Sequence, residues 1–362
     1  MPRKRKNLRR AAALLLAALL LALTGCSSAP GETPGPSGAA DGGLRRYQAN
    51  FLELFDTVTT VVGYAETEDE FYELVNGLRD ELSVYHQLYD IYNDYEGLNN
   101  IKTINDNAGG APVEVDQRII DLLLFCRDMY AATEGRTNVM LGSVLAIWHD
   151  AREYSINNPG DAYLPDVAEL EAAKEHTDFS LLVIDDEANT VQITDSEASL
   201  DVGAVAKGYA TQRVCENLPG GLLVSVGGNV CITGPKPTDG SDWIIGVQDP
   251  DGDASEYVNR VRFDRACLVS SGDYQRYYTV DGVRYHHIID PDTLMPPTMW
   301  RAVSVICPDS GVADALSTAL FTMDLESGLE LLGKFEGAEA MWIDPDMELH
   351  FSPGFEAYVV ED

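Results

Sequence analysis

Three stretches of this chain bring together residue types that can do chemistry. In SGVADALSTALF, Ser317 and Thr318 follow Asp314 at i+3 and i+4. A helix would place these three oxygens on one face near its N-terminal end. Hard oxygen donors in a small cluster suit Mg2+, which keeps several waters and binds phosphate oxygens as well. Capping and helix-surface roles use the same residues. In LDVGAVAKGYA, Asp201 ends a strand-like run, small residues turn the chain, and Lys207 stands beside Gly208 where a helix begins. Small residues let the backbone approach a ligand closely, and a helix N-terminus favours phosphate oxygens. Neither common nucleotide-binding glycine fingerprint is present, and a tight strand-to-helix connection explains the stretch equally well.

RYHHIIDP sets His286 and His287 side by side ahead of Asp290 and Pro291. A metal needs converging ligands, whereas neighbours on a strand point to opposite faces. If the stretch is a strand, the two histidines therefore do different jobs. An imidazole exposed in a cleft is a natural general base, and a strand ending at an Asp-Pro turn is the plain alternative. VSVGGNV, residues 224–230, either lines a pocket with bare backbone or turns a hairpin. Asn138, Trp148 and His149 in TNVMLGSVLAIWHDAR are candidate contacts that packing also explains. The same holds for Tyr274, Tyr277, Tyr278 and Tyr285.

The elements expected to hold these stretches follow from periodicity. Residues 51–64 are β-rich and should open a sheet. Residues 68–92 and 116–133 have apolar residues at helical spacing, Phe71, Leu74, Val75, Leu78, Leu82 and Tyr85 in the first and Ile119, Ile120, Leu123 and Leu124 as the inner face of the second. A short helix over 166–176 leads into strands near 181–184 and 189–194. Residues 199–218 pass from strand to helix, and 220–234 form two strands around the double glycine. Further β segments fall near 243–247, 257–269, 275–280 and 283–289. Residues 301–335 read as a strand, a loop and one long helix. Strands and helices mix without strict alternation, which predicts an α+β fold: one large mixed-sheet domain, or two closely packed lobes with the active site between them.

Bulk properties narrow the function. Residues 1–25 have a basic segment and a 13-residue apolar run, Ala11 to Leu23, too short for a comfortable membrane span and laid out as an export signal. LTGC resembles a lipobox, in which Cys26 becomes the lipidated N-terminus. Residues 26–43 read as a flexible tether rich in Pro, Gly and Ser, and 44–362 as the globular domain. The expected location is extracytoplasmic, with a lipid anchor in the cell membrane. Loss of six leader cations takes the formal charge from −34 to −40. Such a chain does not bind nucleic acid or anionic lipid through bulk electrostatics. The five cysteines after Cys26 are odd in number, widely spaced and without CxxC. They read as buried thiols rather than a disulfide framework or zinc site.

In order along the chain, LDVGAVAKGYA, LLVSVGGNV, SSGDYQRYY, RYHHIIDPDT and ADALSTALF resemble the ApbE family of FAD:protein FMN transferases, from about Phe51 to the C-terminus. The resemblance implies an ApbE-like, T-fold-related architecture. It also implies Mg2+-dependent transfer of FMN from FAD to a threonine hydroxyl of an acceptor with an FMN-binding domain, releasing AMP. It makes Asp314, Thr318 and the Ala204 carbonyl metal ligands, with Ser317 where some members carry a second Asp. It makes His287 the base, and Phe55, Asn138, Val139, Asp201, Lys207 and Ile289 flavin-site residues. Asp290 and Pro291 read as structural. Phe55-Asp56-Thr57 stands where many members have Met-Gly-Thr, Asn138 replaces an Asp, and Leu294 replaces a Gly. The alternatives are a Mg2+-dependent FAD pyrophosphatase, which the same site would serve, and a flavin-binding lipoprotein without chemistry.

Overall fold

Two antiparallel strands, Arg45–Phe51 (β1) and Thr59–Ala65 (β2), begin the fold, with Thr59–Ala65 buried along most of its length. The computed structural model describes residues 43–253 and 256–361. The export signal, Cys26 and the tether through residue 42 lie outside those residues. The β-rich run over 51–64 is not one strand. Residues 52–58 leave the sheet, with Phe55 and Asp56 in the left-handed region at φ 54° and 51°, and it is this excursion that reaches the cleft described below.

Helix Glu68–Tyr89 (α1) starts at Thr67, whose side chain accepts the Glu70 N–H, and buries Phe71, Val75, Leu78 and Leu82 as its periodicity predicts. Ile101–Asp106 (α2) begins with an Asn100 capping box, a helix the polar sequence around it concealed. Val113–Glu114 (β3), Gln117–Ala132 (α3), Gly142–Asn157 (α4), Val167–Lys174 (α5), Leu182–Asp185 (β4) and Thr190–Ile193 (β5) follow. The three short strands form their own sheet in the order β3-β5-β4.

Ala206–Cys215 (α6) leads into Leu223–Val226 (β6) and Asn229–Ile232 (β7). Next come Trp243–Gln248 (β8), Tyr257–Phe263 (β9), Cys267–Gly272 (β10), Tyr277–Val280 (β11) and Val283–His286 (β12). Ala302–Cys307 (β13), Ser310–Phe321 (α7), Leu325–Leu332 (α8), Glu339–Ile343 (β14) and Leu349–Phe351 (β15) complete the fold. Residues 257–269 are thus parts of two strands, and the long terminal helix is two, divided where Asp324 caps the second.

The main sheet is antiparallel throughout, in the order β1-β2-β6-β7-β10-β13-β14-β15. Its interior strand β13 is buried on both faces because both faces carry cover. Val303, Val305 and Cys307 face the helical layer, while Ala302 and Ile306 face a second core under the β8–β9 hairpin. The arrangement is α+β, and the described residues form one unit rather than two lobes. A smaller core joins Trp148, Leu170, Tyr278, Ile289 and Leu294 beneath the β11–β12 hairpin. One expectation about the cysteines is overturned. Cys231 and Cys267 lie directly opposite on β7 and β10 and form a disulfide, while Cys126, Cys215 and Cys307 are the buried thiols expected. Pairing depends on strand neighbours remote in sequence, which cysteine spacing does not reveal.

Candidate active site

Helices α6 and α7 pack against one another on the helical face of the sheet, and Gly208 is where they meet. A Cβ there would overlap the Ser310 carbonyl oxygen and lie 2.5 Å from Asp314 Cβ, so only glycine fits. Close approach lets the Gly208 N–H donate to Asp314 Oδ2 at 2.8 Å, and Asn229 Nδ2 at the start of β7 donates to the same oxygen at 2.9 Å. Lys207 Nζ stands 3.8 Å away. Burial still pushes the Asp314 carboxyl above its usual range, against the opposing pull of Lys207 and these two donors.

This arrangement frees ligand oxygens. The Gly208 N–H, turned to Asp314, leaves the Ala204 carbonyl with no hydrogen-bond donor among the described residues. Thr318 Oγ1 and Asp314 Oδ1 also lack partners there, and all three residues line one cleft of about 680 Å³. Three hard oxygens beside a lysine fit Mg2+. Ser317 does not join them. It is fully buried, bonded to Ser271 Oγ at 2.8 Å and to the Asp314 carbonyl at 2.9 Å, because i+3 rotates its side chain toward the sheet. Asp314 sits one turn into α7, not in its first turn.

The two histidines divide as expected, although β12 stops at His286 and His287 stands beyond it. His286 Nε2 donates to the Pro297 carbonyl at 2.8 Å, and its Nδ1 accepts the Ile288 N–H. Its ring also meets Phe321 edge-on. His287 faces the cleft, its Nδ1 buried without a partner. Burial, then Arg276, His286, Arg152 and Lys207, hold its pKa down to about 3. The imidazole is therefore neutral at physiological pH and has a lone pair to take a proton.

Phe55, Asn138, Asp201, Lys207 and Ile289 line the same cleft. The Phe55 N–H donates to His86 Nδ1 at 3.2 Å, and Gly227 abuts Thr57 so closely that a Cβ would come within 2.6 Å of its Oγ1. The double glycine thus turns a hairpin and also admits the Phe55 loop. Asn138 Oδ1 caps the turn Val139–Leu141, while its Nδ2 donates to the Thr177 carbonyl at 2.9 Å, a bond that an Asp could not make. Val139 is not a lining residue: its side chain is buried, and its carbonyl accepts the Asp201 N–H at 2.8 Å. Asp201 opens partly on the cleft, yet desolvation raises its pKa. Tyr274, Tyr278 and Tyr285 line the cleft, whereas Tyr277 lies under Arg284 at the surface. Leu294 takes φ 62°, as a residue in a glycine position would. His86, Tyr92, Arg152, Asn229 and Arg276 were given no role from sequence, since nothing local marks them as neighbours of Asp314 or His287, and Gly208 was read as an approach to a ligand rather than as a donor to Asp314.

Residues 55–342 match the model of the ApbE family. The FAD:protein FMN transferase of Treponema pallidum is 33% identical over 271 residues, covering 70% of this chain and 73% of its own. That of Klebsiella pneumoniae is 29% identical over 293 residues, covering 76% and 88%. The crystal structure of the ApbE protein from Thermotoga maritima superposes with a TM-score of 0.76 at 27% identity, over 87% of this chain and 100% of that one. The flavin transferase ApbE from Vibrio cholerae, at 22% identity and a TM-score of 0.69 over 86% and 99%, shares the fold.

Proposed function

The chain belongs to the ApbE family, and from that membership we propose that its cleft transfers FMN from FAD to an acceptor protein. The acceptor's threonine oxygen bonds to the FMN phosphorus, the pyrophosphate bridge breaks, and AMP leaves. His287 takes the threonine proton, since it faces the cleft with its Nδ1 free of protein partners among the described residues. Ala204, Asp314 and Thr318 would hold Mg2+, which supplies charge neutralisation at the pyrophosphate when bound. Lys207 adds positive charge beside them, and Gly208 and Asn229 fix the Asp314 carboxylate. Phe55, Asp201 and Ile289 shape the flavin's place in the cleft. The observation that carries this reading is that the Ala204 carbonyl, robbed of the Gly208 N–H, lines one cleft with an Asp314 carboxylate oxygen and a Thr318 hydroxyl that also lack partners among the described residues.

The test incubates the protein with FAD, Mg2+ and an acceptor carrying an FMN-binding domain, then looks for flavin fluorescence on the denatured acceptor. Labelling that His287→Ala abolishes supports the reading. No label, or AMP released equally well without acceptor, sinks it and favours a pyrophosphatase. We also hold that the domain works outside the cytoplasm on a lipidated Cys26. The basic leader, the apolar run and LTGC support this, and Cys26→Ser should release the protein from membranes on fractionation.

A further inference from the structure

The cleft contains four side-chain cations of Lys and Arg, and two of them have resident partners. Arg136 is held by Asp290 at 3.2 Å and Asp292 at 2.9 Å, and Lys207 faces Asp314. Arg152 and Arg276 form no ion pair with any carboxylate among the described residues. Arg152, on α4, instead places Nη2 2.9 Å from His149 Nδ1, where the guanidinium can only donate. Arg276, exposed in the turn between β10 and β11, has no hydrogen-bond partner among the described residues. The two guanidiniums also repel one another. Burial and then Arg276 hold Arg152 below its ordinary pKa, with Tyr92, Glu153 and Asp201 opposing at longer range.

This placement is unusual in a chain with 59 acidic residues and 25 basic ones. Any exposed turn could have supplied a close carboxylate, yet both arginines line the cleft with none at ion-pair distance among the described residues, Asp201 acting on them only from further off. Like charges held together in this way favour an anion from outside. Arginine's planar fork matches phosphate oxygens better than a point charge does, and the substrate of the proposed reaction carries a pyrophosphate.

We propose that Arg152 and Arg276 form a phosphate clamp that, with Lys207, receives the pyrophosphate of the dinucleotide and selects FAD over unphosphorylated flavin. The clamp rests on the flavin-transfer reading for its substrate but not for its chemistry, since any pyrophosphate ester presents the same oxygens.

The test measures dissociation constants of FAD, ADP and riboflavin for the full-length protein and for its Arg152→Gln, Arg276→Gln and Arg→Lys variants. Loss of one charge-assisted hydrogen bond corresponds to roughly tenfold weaker binding. Each Gln variant should therefore bind FAD and ADP about tenfold less tightly, with riboflavin unchanged and partial recovery in the Lys variant. Unchanged ADP affinity, or riboflavin weakened as much as FAD, overturns the clamp. Arg276 lies on an exposed turn, so its variant decides the matter even where Arg152→Gln fails to fold. ADP contains no flavin, so its binding reports on the clamp whether or not FMN is transferred.

Discussion

Gly208→Ala inserts one methyl group between α6 and α7, where the structure leaves no room for it. The new Cβ would overlap the Ser310 carbonyl oxygen and press on Asp314 at 2.5 Å from its Cβ and 3.0 Å from Oδ2. Elsewhere in a helix this change gains roughly 1 kcal/mol of propensity. Here overpacking costs about 1–3 kcal/mol, and pushing the helices apart forfeits the charge-assisted bond from the Gly208 N–H, worth about 1.5–3 kcal/mol. The net is a loss of about 1.5–5 kcal/mol, or a melting temperature lowered by about 2–8 °C for a domain of this size. Transfer activity should fall a hundredfold on the order of magnitude that an ångström of misplacement costs. Gly77→Ala in α1 is the control: its Cβ would meet nothing within 4 Å, so it should stabilise by up to about 1 kcal/mol. Thermal unfolding and FMN transfer are read on both variants. A Gly208→Ala protein as stable and active as the parent would refute the argument that the close helix contact builds the site.

Asn229→Ala removes one of the donors that orient Asp314, and should weaken Mg2+ dependence about 10–100-fold in a metal titration of activity, with a similar circular dichroism spectrum. His287 gives a pH signature with a definite sign. Its folded pKa of about 3 lies below the ordinary 6.5, so below pH 6.5 the unfolded chain binds a proton that the folded one refuses. Stability is therefore lost as pH falls from 6.5 towards 3, by up to about 1.4 kcal/mol per unit. Urea unfolding of His287→Ala should show a shallower acid slope than the parent, and equal slopes would count against the buried neutral imidazole. Leu294→Gly relieves a left-handed backbone at φ 62°, worth about 1–2 kcal/mol. It also gives up a side chain only 4% exposed, worth about 2–5 kcal/mol. Urea unfolding should show a net loss of about 1–3 kcal/mol.

Periodicity in the sequence was enough to find α1, α3 and most strands, because their apolar faces are continuous in the chain. It was not enough for α2, whose helix is announced only by the Asn100 capping box, nor for the break between α7 and α8 at Asp324. At the site, Asp314, Thr318, Lys207 and His287 were legible because each sits in a local motif. Their supports were not. Gly208 matters through Ser310, 102 positions away in the chain, and the disulfide joins cysteines opposed only once β7 and β10 pair. Ser317 illustrates the limit of spacing arguments. A shared helix face put it with Thr318, but one step of rotation turned it to Ser271 in the sheet.

The most direct test of the account counts AMP and covalently flavinylated acceptor in the same reaction with FAD and Mg2+. The account predicts that the two appear in equal amounts, only when acceptor is present, and that neither appears with His287→Ala or Asp314→Asn. AMP formed without acceptor, or label undiminished in either variant, would contradict it.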